Sequence, residues 1–150
     1  MIKLYDSEGN YVSVLEDRPG DAEDSFGWLY TQAREAEKAC DFSTALCNPH
    51  GAHEILVVER GDMTPELLEF LVGHELGHIT SGRFHELDAE LEADRFSLCR
   101  TPGLEETAVT CLEKGKAYML EASAQNPDLA WYYNGAVSDL DSRISAIKQN

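Results

Sequence analysis

The stretch that decides the fold is Glu69-Phe-Leu-Val-Gly-His-Glu-Leu-Gly-His-Ile79, in which His74, Glu75 and His78 form the pattern HExxH. Two residues four apart on an α-helix are separated by about 40° of rotation and about 6 Å of rise. Their imidazoles can therefore reach one point from successive turns and hold a zinc ion at about 2.0–2.1 Å. Glu75 lies beside such an ion and can take a proton from a zinc-bound water, as peptide hydrolysis requires.

The residues around the motif predict an amphipathic helix. Thr64-Pro65-Glu66 is a helix start, with Thr as N-cap, Pro at the first helical position and an acid in the first turn. Apolar residues then recur at helical spacing: Leu67, Leu68, Leu71, Val72, Leu76 and Ile79. His74 and His78 continue the line of Leu67 and Leu71 along the helix. They are therefore expected to point inward, where histidines need polar partners or a metal. Two incidental histidines on an amphipathic helix are the alternative.

The third metal ligand has two candidates. A catalytic zinc takes three protein ligands and leaves a fourth position for water. The sequence does not match the metzincin pattern HExxHxxGxxH. The glycine is Gly82 rather than residue 81, and Phe84 occupies the position of the third ligand. His85, one residue later, and Glu90, on a second predicted helix, both stay open.

Glu90 and Asp94 are four residues apart and share one helix face. Glu90 can bind zinc, while Asp94 can accept a hydrogen bond from the far nitrogen of a liganding histidine. A solvated acidic face is the alternative, but three leucines place the Asp94 side near the core: Leu87, Leu91 and Leu98. Ala89 and Ala93 would let the two helices approach closely, and Glu92 is expected in solvent.

Composition favours one globular domain over residues 1–150, because 150 residues with 43% apolar content can bury a core. A formal net charge of −16 disfavours nucleic acid and anionic membranes as partners. No apolar run approaches the ~20 residues of a membrane span, and no signal peptide is recognisable. We expect a soluble, cytoplasmic protein.

Four cysteines, Cys40, Cys47, Cys99 and Cys111, show no CxxC spacing. A cysteine-based zinc site is therefore not expected. In a chain without a secretory signal, we expect them to be reduced and mostly buried.

The remaining patterns predict an α+β fold with strands early and helices late. Strands are expected at 2–5, 11–15, 42–47 and 53–59, the first two as a hairpin and the last inside the sheet. Besides the motif helix, helices are expected at about 21–39, 87–98, 104–124 and 138–148, with residues 131–133 in a short helix or loop. Predicted core residues of the late helices include Leu104, Ala108, Leu112, Tyr118, Met119, Leu140, Ile144 and Ile147.

The run His74-Glu-Leu-Gly-His78, followed by Glu90-Leu-Glu-Ala-Asp-Arg-Phe96, resembles the gluzincins. It is most similar to the HtpX-like and CAAX-prenyl-protease-like peptidases, whose second motif is E-x-E-A-D-x-x-A, and the likeness runs from about residue 55 to 147. ImmA-like phage and bacterial metallopeptidases are the second choice. Only 11 residues separate His78 from Glu90 here, whereas the first family usually has a long insert there and a membrane anchor. The resemblance implies a zincin-like fold, with a small antiparallel or mixed sheet before a helical half that carries the motif.

Site roles follow from the same resemblance. It implies that His74, His78 and Glu90 bind the zinc, that Glu75 is the base and that Asp94 supports a ligand. Arg143 matches an arginine on the oxyanion side, although the histidine expected six residues earlier is Val137. The electrophilic role stays open among Arg143, His85 and the tyrosines Tyr118, Tyr132 and Tyr133.

These observations predict a zinc-dependent peptidase that hydrolyses peptide bonds with a zinc-bound water activated by Glu75. Its partner would be a peptide or protein substrate, extended along an edge strand as the zincin resemblance implies. The alternative is a catalytically silent zincin-fold protein that binds metal or a partner, against which the intact Glu75 argues. A third possibility, an acidic inhibitor, has only the net charge in its favour.

Overall fold

The structure, a computed structural model, describes residues 1–15, 43–47, 51–59, 61 and 63–149. In these ranges four strands precede four helices, which confirms the predicted α+β class. The strands are β1 (Ile2–Tyr5), β2 (Tyr11–Val14), β3 (Ser43–Cys47) and β4 (His53–Val58). The helix predicted over 21–39, together with Cys40, lies outside the described residues.

The β1–β2 hairpin is built by its turn residues. Asp6 accepts hydrogen bonds from the backbone N–H groups of Glu8 and Asn10, both at 2.9 Å, and Gly9 adopts a φ of 84°. An aspartate that caps its own turn and a glycine with positive φ are the residues such a loop requires. A Cβ atom on Gly9 would lie 2.7 Å from Leu76 Cδ1. The loop therefore packs directly on the motif helix.

The four strands form one antiparallel sheet in the order β2-β1-β4-β3. The predicted interior strand is confirmed, since β4 pairs with β1 on one side and with β3 on the other. Ile55 and Val57 of β4 pack in the core cluster that includes the helices. Leu56 and Val58 belong to a second cluster, with Ile2 and other residues of the hairpin. Among the described strands, β3 lies at one edge of the sheet, where it can face a cleft.

The motif helix, α1, spans Pro65–Ser81 and has both predicted boundaries. The Thr64 hydroxyl accepts the N–H of Leu67 at 3.1 Å and caps the first turn. At the other end, Gly82 has a φ of 71°, and its N–H donates to the carbonyl of His78. A glycine in the left-handed conformation is a common way to end a helix.

The three helices that follow are α2 (Leu87–Arg100), α3 (Glu105–Gln125) and α4 (Ala130–Lys148), with a 3-10 turn, Pro127–Leu129, before the last. Helix α4 begins eight residues earlier than the predicted start at 138, so residues 131–133 form its first turn. This end of α4 is largely in solvent: Trp131 is 74% and Tyr132 is 57% exposed. Hydrophobic periodicity predicts a helix only where one of its faces is buried. The exposed first turns of α4 have no such face, so the periodicity did not predict them. None of the described helices is long and apolar enough to cross a membrane.

Some burial predictions are wrong. Tyr118 is 40% exposed and Met119 is half-buried, because both line a cleft instead of the core. Cys47 and Cys99 are exposed, and only Cys111 of the three described cysteines is buried. The two exposed cysteines lie at the end of β3 and in the last turn of α2, where the chain leaves the packed layer. Leu104, Ala108, Leu112, Ile144 and Ile147 are buried as predicted, whereas Leu140 is half-buried.

Candidate metal centre

Helices α1 and α2 pack closely through small residues. Ala89 and Ala93 of α2 are each 1% exposed, as the predicted close approach requires. A Cβ atom on Gly77 of α1 would lie 2.8 Å from the Cα atom of Ala93. One turn earlier, Gly73 faces Ser97, whose hydroxyl donates to the carbonyl of Phe70 at 2.8 Å. The glycines were not singled out in the sequence, although their spacing of four residues would have indicated a packing face.

The close approach brings Glu90 of α2 to the two motif histidines of α1. The Nε2 atoms of His74 and His78 are 3.0 Å apart. Glu90 places Oε2 at 3.0 Å from Nε2 of His74 and Oε1 at 3.4 Å from Nε2 of His78. A tetrahedral zinc ion with bonds of about 2.0–2.1 Å needs donor atoms about 3.3 Å apart. This buried His-His-Glu group could therefore bind a metal ion.

His85 is outside the cluster. Within the described part of the chain, the group of His, Cys, Asp and Glu side chains with converging donor atoms consists of His74, His78 and Glu90. His85 is exposed and lines the neighbouring cleft. Phe84, at the position where a metzincin has its third ligand, instead stacks on the ring of His78 at 5.6 Å between centroids. The structure thus brings Glu90, and not His85, to the histidines.

Hydrogen bonds fix the orientation of both imidazoles. Nδ1 of His78 lies 2.7 Å from the carbonyl oxygen of Arg83. A carbonyl only accepts, so this Nδ1 carries the hydrogen and the Nε2 lone pair is left for the cluster. Nδ1 of His74 lies 2.8 Å from Oδ1 of Asp94 and donates to it in the same way. Both Nε2 atoms are therefore presented as ligands.

Asp94 also pairs with Arg143 of α4, a contact that the sequence did not predict. Arg143 donates from Nε to Oδ2 and from Nη2 to Oδ1 of Asp94, each at 2.8 Å, and its Nη1 lies 3.5 Å from Oε2 of Glu90. Asp94 is 3% exposed. Burial alone would raise the pKa of this carboxyl, but the hydrogen bonds from Arg143 and His74 lower it below its usual value. The bidentate pair keeps Asp94 ionised and correctly turned toward His74.

Glu75 is 5% exposed, and its Oε1 accepts a hydrogen bond from the hydroxyl of Ser43 at 3.1 Å. Burial raises the pKa of Glu75, whereas the neighbouring imidazoles and Ser43 lower it by less. Ser43 begins the edge strand β3. A serine 32 residues upstream carries no motif, so only the tertiary structure identifies this contact.

Without a metal, the cluster favours a proton on His74. Burial lowers the pKa of His74, but the carboxylates of Asp94 and Glu90 raise it more, to about 9. Burial likewise would raise the pKa of Glu90, but hydrogen bonds from His74 and His78 hold it well below the usual range. A metal ion at Nε2 would compete with this proton.

The cluster opens into a cleft of about 780 Å³ between β3, α1 and the α3–α4 pair. Glu75, Glu90 and Arg143 line it together with the motif histidines. Of the tyrosines considered as electrophiles, Tyr118 lines the cleft, while Tyr132 and Tyr133 do not. Val137 is half-buried on α4.

No family model, curated protein or solved structure matches this chain. The resemblance of His74–His78 and Glu90–Phe96 to the gluzincins therefore stays a prediction.

Proposed function

We propose that this protein is a zinc-dependent peptidase of the gluzincin type. One observation carries the proposal: the donor atoms of His74, His78 and Glu90 converge in a cleft that is also lined by the buried carboxylate of Glu75. A site that only stores or senses a metal has no need of a further buried carboxylate beside its three ligands.

Two imidazoles and one carboxylate are a donor set that zinc takes in catalytic sites, with one position left for solvent or substrate. When bound, zinc would polarise the substrate carbonyl and make a water more acidic. The chain contributes ligands whose orientation is already held by Asp94 and by the Arg83 carbonyl. Pre-oriented ligands need little rearrangement to bind the metal.

Glu75 is the proposed general base. It takes a proton from the attacking water as the water oxygen bonds to the peptide carbon, and it returns the proton to the nitrogen when the carbon–nitrogen bond breaks. Such a two-way transfer is efficient when the pKa of the base is near the working pH. Burial raises the pKa of Glu75 in that direction. The hydroxyl of Ser43 holds one carboxylate oxygen and leaves the other for the proton.

The proposed substrate is an extended peptide. Ser43, Thr44 and Ala45 of the edge strand β3 line the cleft, and an exposed edge can pair with an incoming strand. Arg143, His85 and Tyr118 also line the cleft. Each of these three could donate to the negative charge that develops on the carbonyl oxygen.

The test is hydrolysis of a peptide library by protein loaded with one equivalent of zinc, read by mass spectrometry. We expect Glu75→Gln to abolish hydrolysis and retain one zinc, since the base is lost but the ligands are intact. The control is Glu66→Gln in the exposed first turn of the same helix, which should be as active as wild type.

Wild-type protein that binds zinc but cleaves no library peptide would contradict the peptidase proposal and favour a catalytically silent metal-binding protein. Retention of zinc by a variant with His74→Ala and His78→Ala would show that the site itself is wrong.

A further inference from the structure

The cleft continues past the metal cluster, between α3 and α4. Cys111 of α3 and Arg143 of α4 line the cleft together, and Arg143 also contacts Asp94 and Glu90, so this level adjoins the cluster. Farther from the cluster, Gly115 of α3 faces Leu140 of α4. Consecutive levels along two packed helices are about one turn, roughly 5 Å, apart. The Gly115 level is thus about one helical turn beyond the Cys111 level.

Gly115 leaves an opening at this level. Apart from the backbone of its own helix and its chain neighbours, the one described heavy atom within 4 Å of a Cβ atom built on Gly115 is Leu140 Cδ1, at 3.8 Å. Gly115 lies in the middle of a 21-residue helix, where glycine is a poor helix former. A larger residue here would project into the cleft, which Gly115 itself lines.

The walls of this opening are mostly apolar, with Lys114, Tyr118 and Asp139 lining the cleft at neighbouring positions. Leu112, one turn from Gly115, is 4% exposed and lines the cleft. Met119 of α3 and Ala136 of α4, each about one turn beyond the Gly115 level, line it too. Leu71 of α1, which is four residues before Glu75 and on the same helix face, joins the opening to the catalytic side of the cleft. A charged group placed against the leucines of these walls, Leu112 and Leu140, would lose part of its hydration.

We propose that the opening at Gly115 is a subsite for an apolar side chain of the substrate, of the size of leucine, methionine or phenylalanine, next to the bond that is cleaved. This inference depends on the proposed peptidase function. The cleft of about 780 Å³ is much larger than a metal ion and a water require, and Gly115 lines it without a side chain. Apolar pockets discriminate by about 10- to 200-fold for each methylene group.

The first test compares kcat/KM for peptide pairs, identified from the library, that differ by Leu or Ala beside the cleaved bond. We expect wild type to prefer the Leu peptide by at least about tenfold. Gly115→Leu should remove most of this preference and retain cleavage of the Ala peptide, because the new side chain fills the opening. Gly135→Leu is the matched control: Gly135 is also inside a helix, has no described neighbour within 4 Å and does not line the cleft.

A second variant covers the case in which Gly115→Leu does not fold. Leu140→Ala widens the opening from the other helix, and we expect it to shift the preference from Leu toward Phe or Trp. Equal kcat/KM for Leu and Ala peptides in wild type would overturn the subsite, as would an unchanged preference in both variants.

A binding measurement separates this inference from the peptidase proposal. Amide and methyl NMR shifts of zinc-loaded Glu75→Gln protein would be followed during addition of N-acetyl-leucinamide or N-acetyl-alaninamide. We expect the leucine compound alone to shift Gly115 and Leu140, and Gly115→Leu to remove the effect. This result, combined with no hydrolysis by wild type, would support the subsite and contradict the peptidase. Hydrolysis without any leucine-specific shift would support the peptidase and contradict the subsite.

Discussion

The carboxylate of Asp94 lies 2.8 Å from Nδ1 of His74, on the side of the imidazole that faces away from the metal cluster. Because Arg143 holds the same carboxylate through two hydrogen bonds, the first motif histidine on α1 is oriented by residues from two other helices. The geometry of the candidate metal centre therefore depends on how α1, α2 and α4 pack, as well as on His74, His78 and Glu90.

Asp94→Asn should weaken zinc binding by about 10- to 100-fold, because the amide cannot supply the charge that orients and polarises His74. It should also destabilise the protein, since the buried guanidinium of Arg143 loses its ionic partner. Competition with a zinc chelator and thermal unfolding would measure the two effects. Asp88→Asn on the exposed side of the same helix is the control; equal zinc affinity in the two variants would contradict this role of Asp94.

Gly77→Ala should destabilise the protein by about 1–3 kcal/mol, because the added methyl meets the backbone of Ala93, which cannot move without shifting α2. The shift would carry Glu90 away from the histidines, so zinc affinity should fall as well. Denaturant unfolding and chelator competition would show both. Gly135→Ala, in open space on α4, should instead stabilise by up to about 1 kcal/mol. The same change in both variants would argue against close packing at Gly77.

Glu90→Ala should reduce zinc affinity far more than His85→Ala does, because only Glu90 places donor atoms at the two Nε2 atoms. Zinc content after dialysis against a weak chelator would distinguish the variants. His85→Ala should keep one equivalent. Loss of zinc from His85→Ala with retention by Glu90→Ala would establish the histidine as the third ligand.

Zinc binding at pH 7.5 should release about one proton. The pKa of His74 in the metal-free fold is raised to about 9, above the ~6.5 of an unfolded chain, so the ring is protonated at this pH and must lose the proton to bind the metal. Calorimetry in buffers of different ionisation enthalpy would count the protons, and Asp94→Asn should release fewer.

The same raised pKa predicts how the metal-free protein responds to pH. Protonated His74 stabilises the fold fully below pH ~6.5, and this contribution is lost as the pH rises toward 9. The melting temperature of metal-free protein should therefore fall across this interval, and less so in Asp94→Asn. A flat profile in both proteins would contradict the assignment of the proton to His74.

Ser43→Ala should lower kcat by about two- to tenfold with little change in KM, since a net hydrogen bond of about 0.5–1.5 kcal/mol to the base is lost. Ser43→Thr keeps the hydroxyl and should restore most of the activity. A purely structural role for Ser43 would instead lower the melting temperature and leave kcat unchanged.

Much of the fold could be predicted from local chemistry. Thr64, Pro65 and Gly82 bound the motif helix because caps and glycine conformations act within a few residues. The hairpin at Asp6 and Gly9 follows from the same kind of local preference. The start of α4 could not be predicted, because an exposed helical turn at Trp131 leaves no apolar period.

The sequence by itself determined that His74 pairs with His78 on one helix and Glu90 with Asp94 on the next, since helical periodicity alone places each pair on a common face. Only the tertiary structure brought Glu90 rather than His85 to the histidines, joined Ser43 to Glu75 and brought Arg143 to Asp94. These contacts cross between separate elements, and their distances depend on how closely the helices pack. That packing is controlled by the small residues Gly77 and Ala93, whose spacing indicates a packing face but not which residue lies opposite.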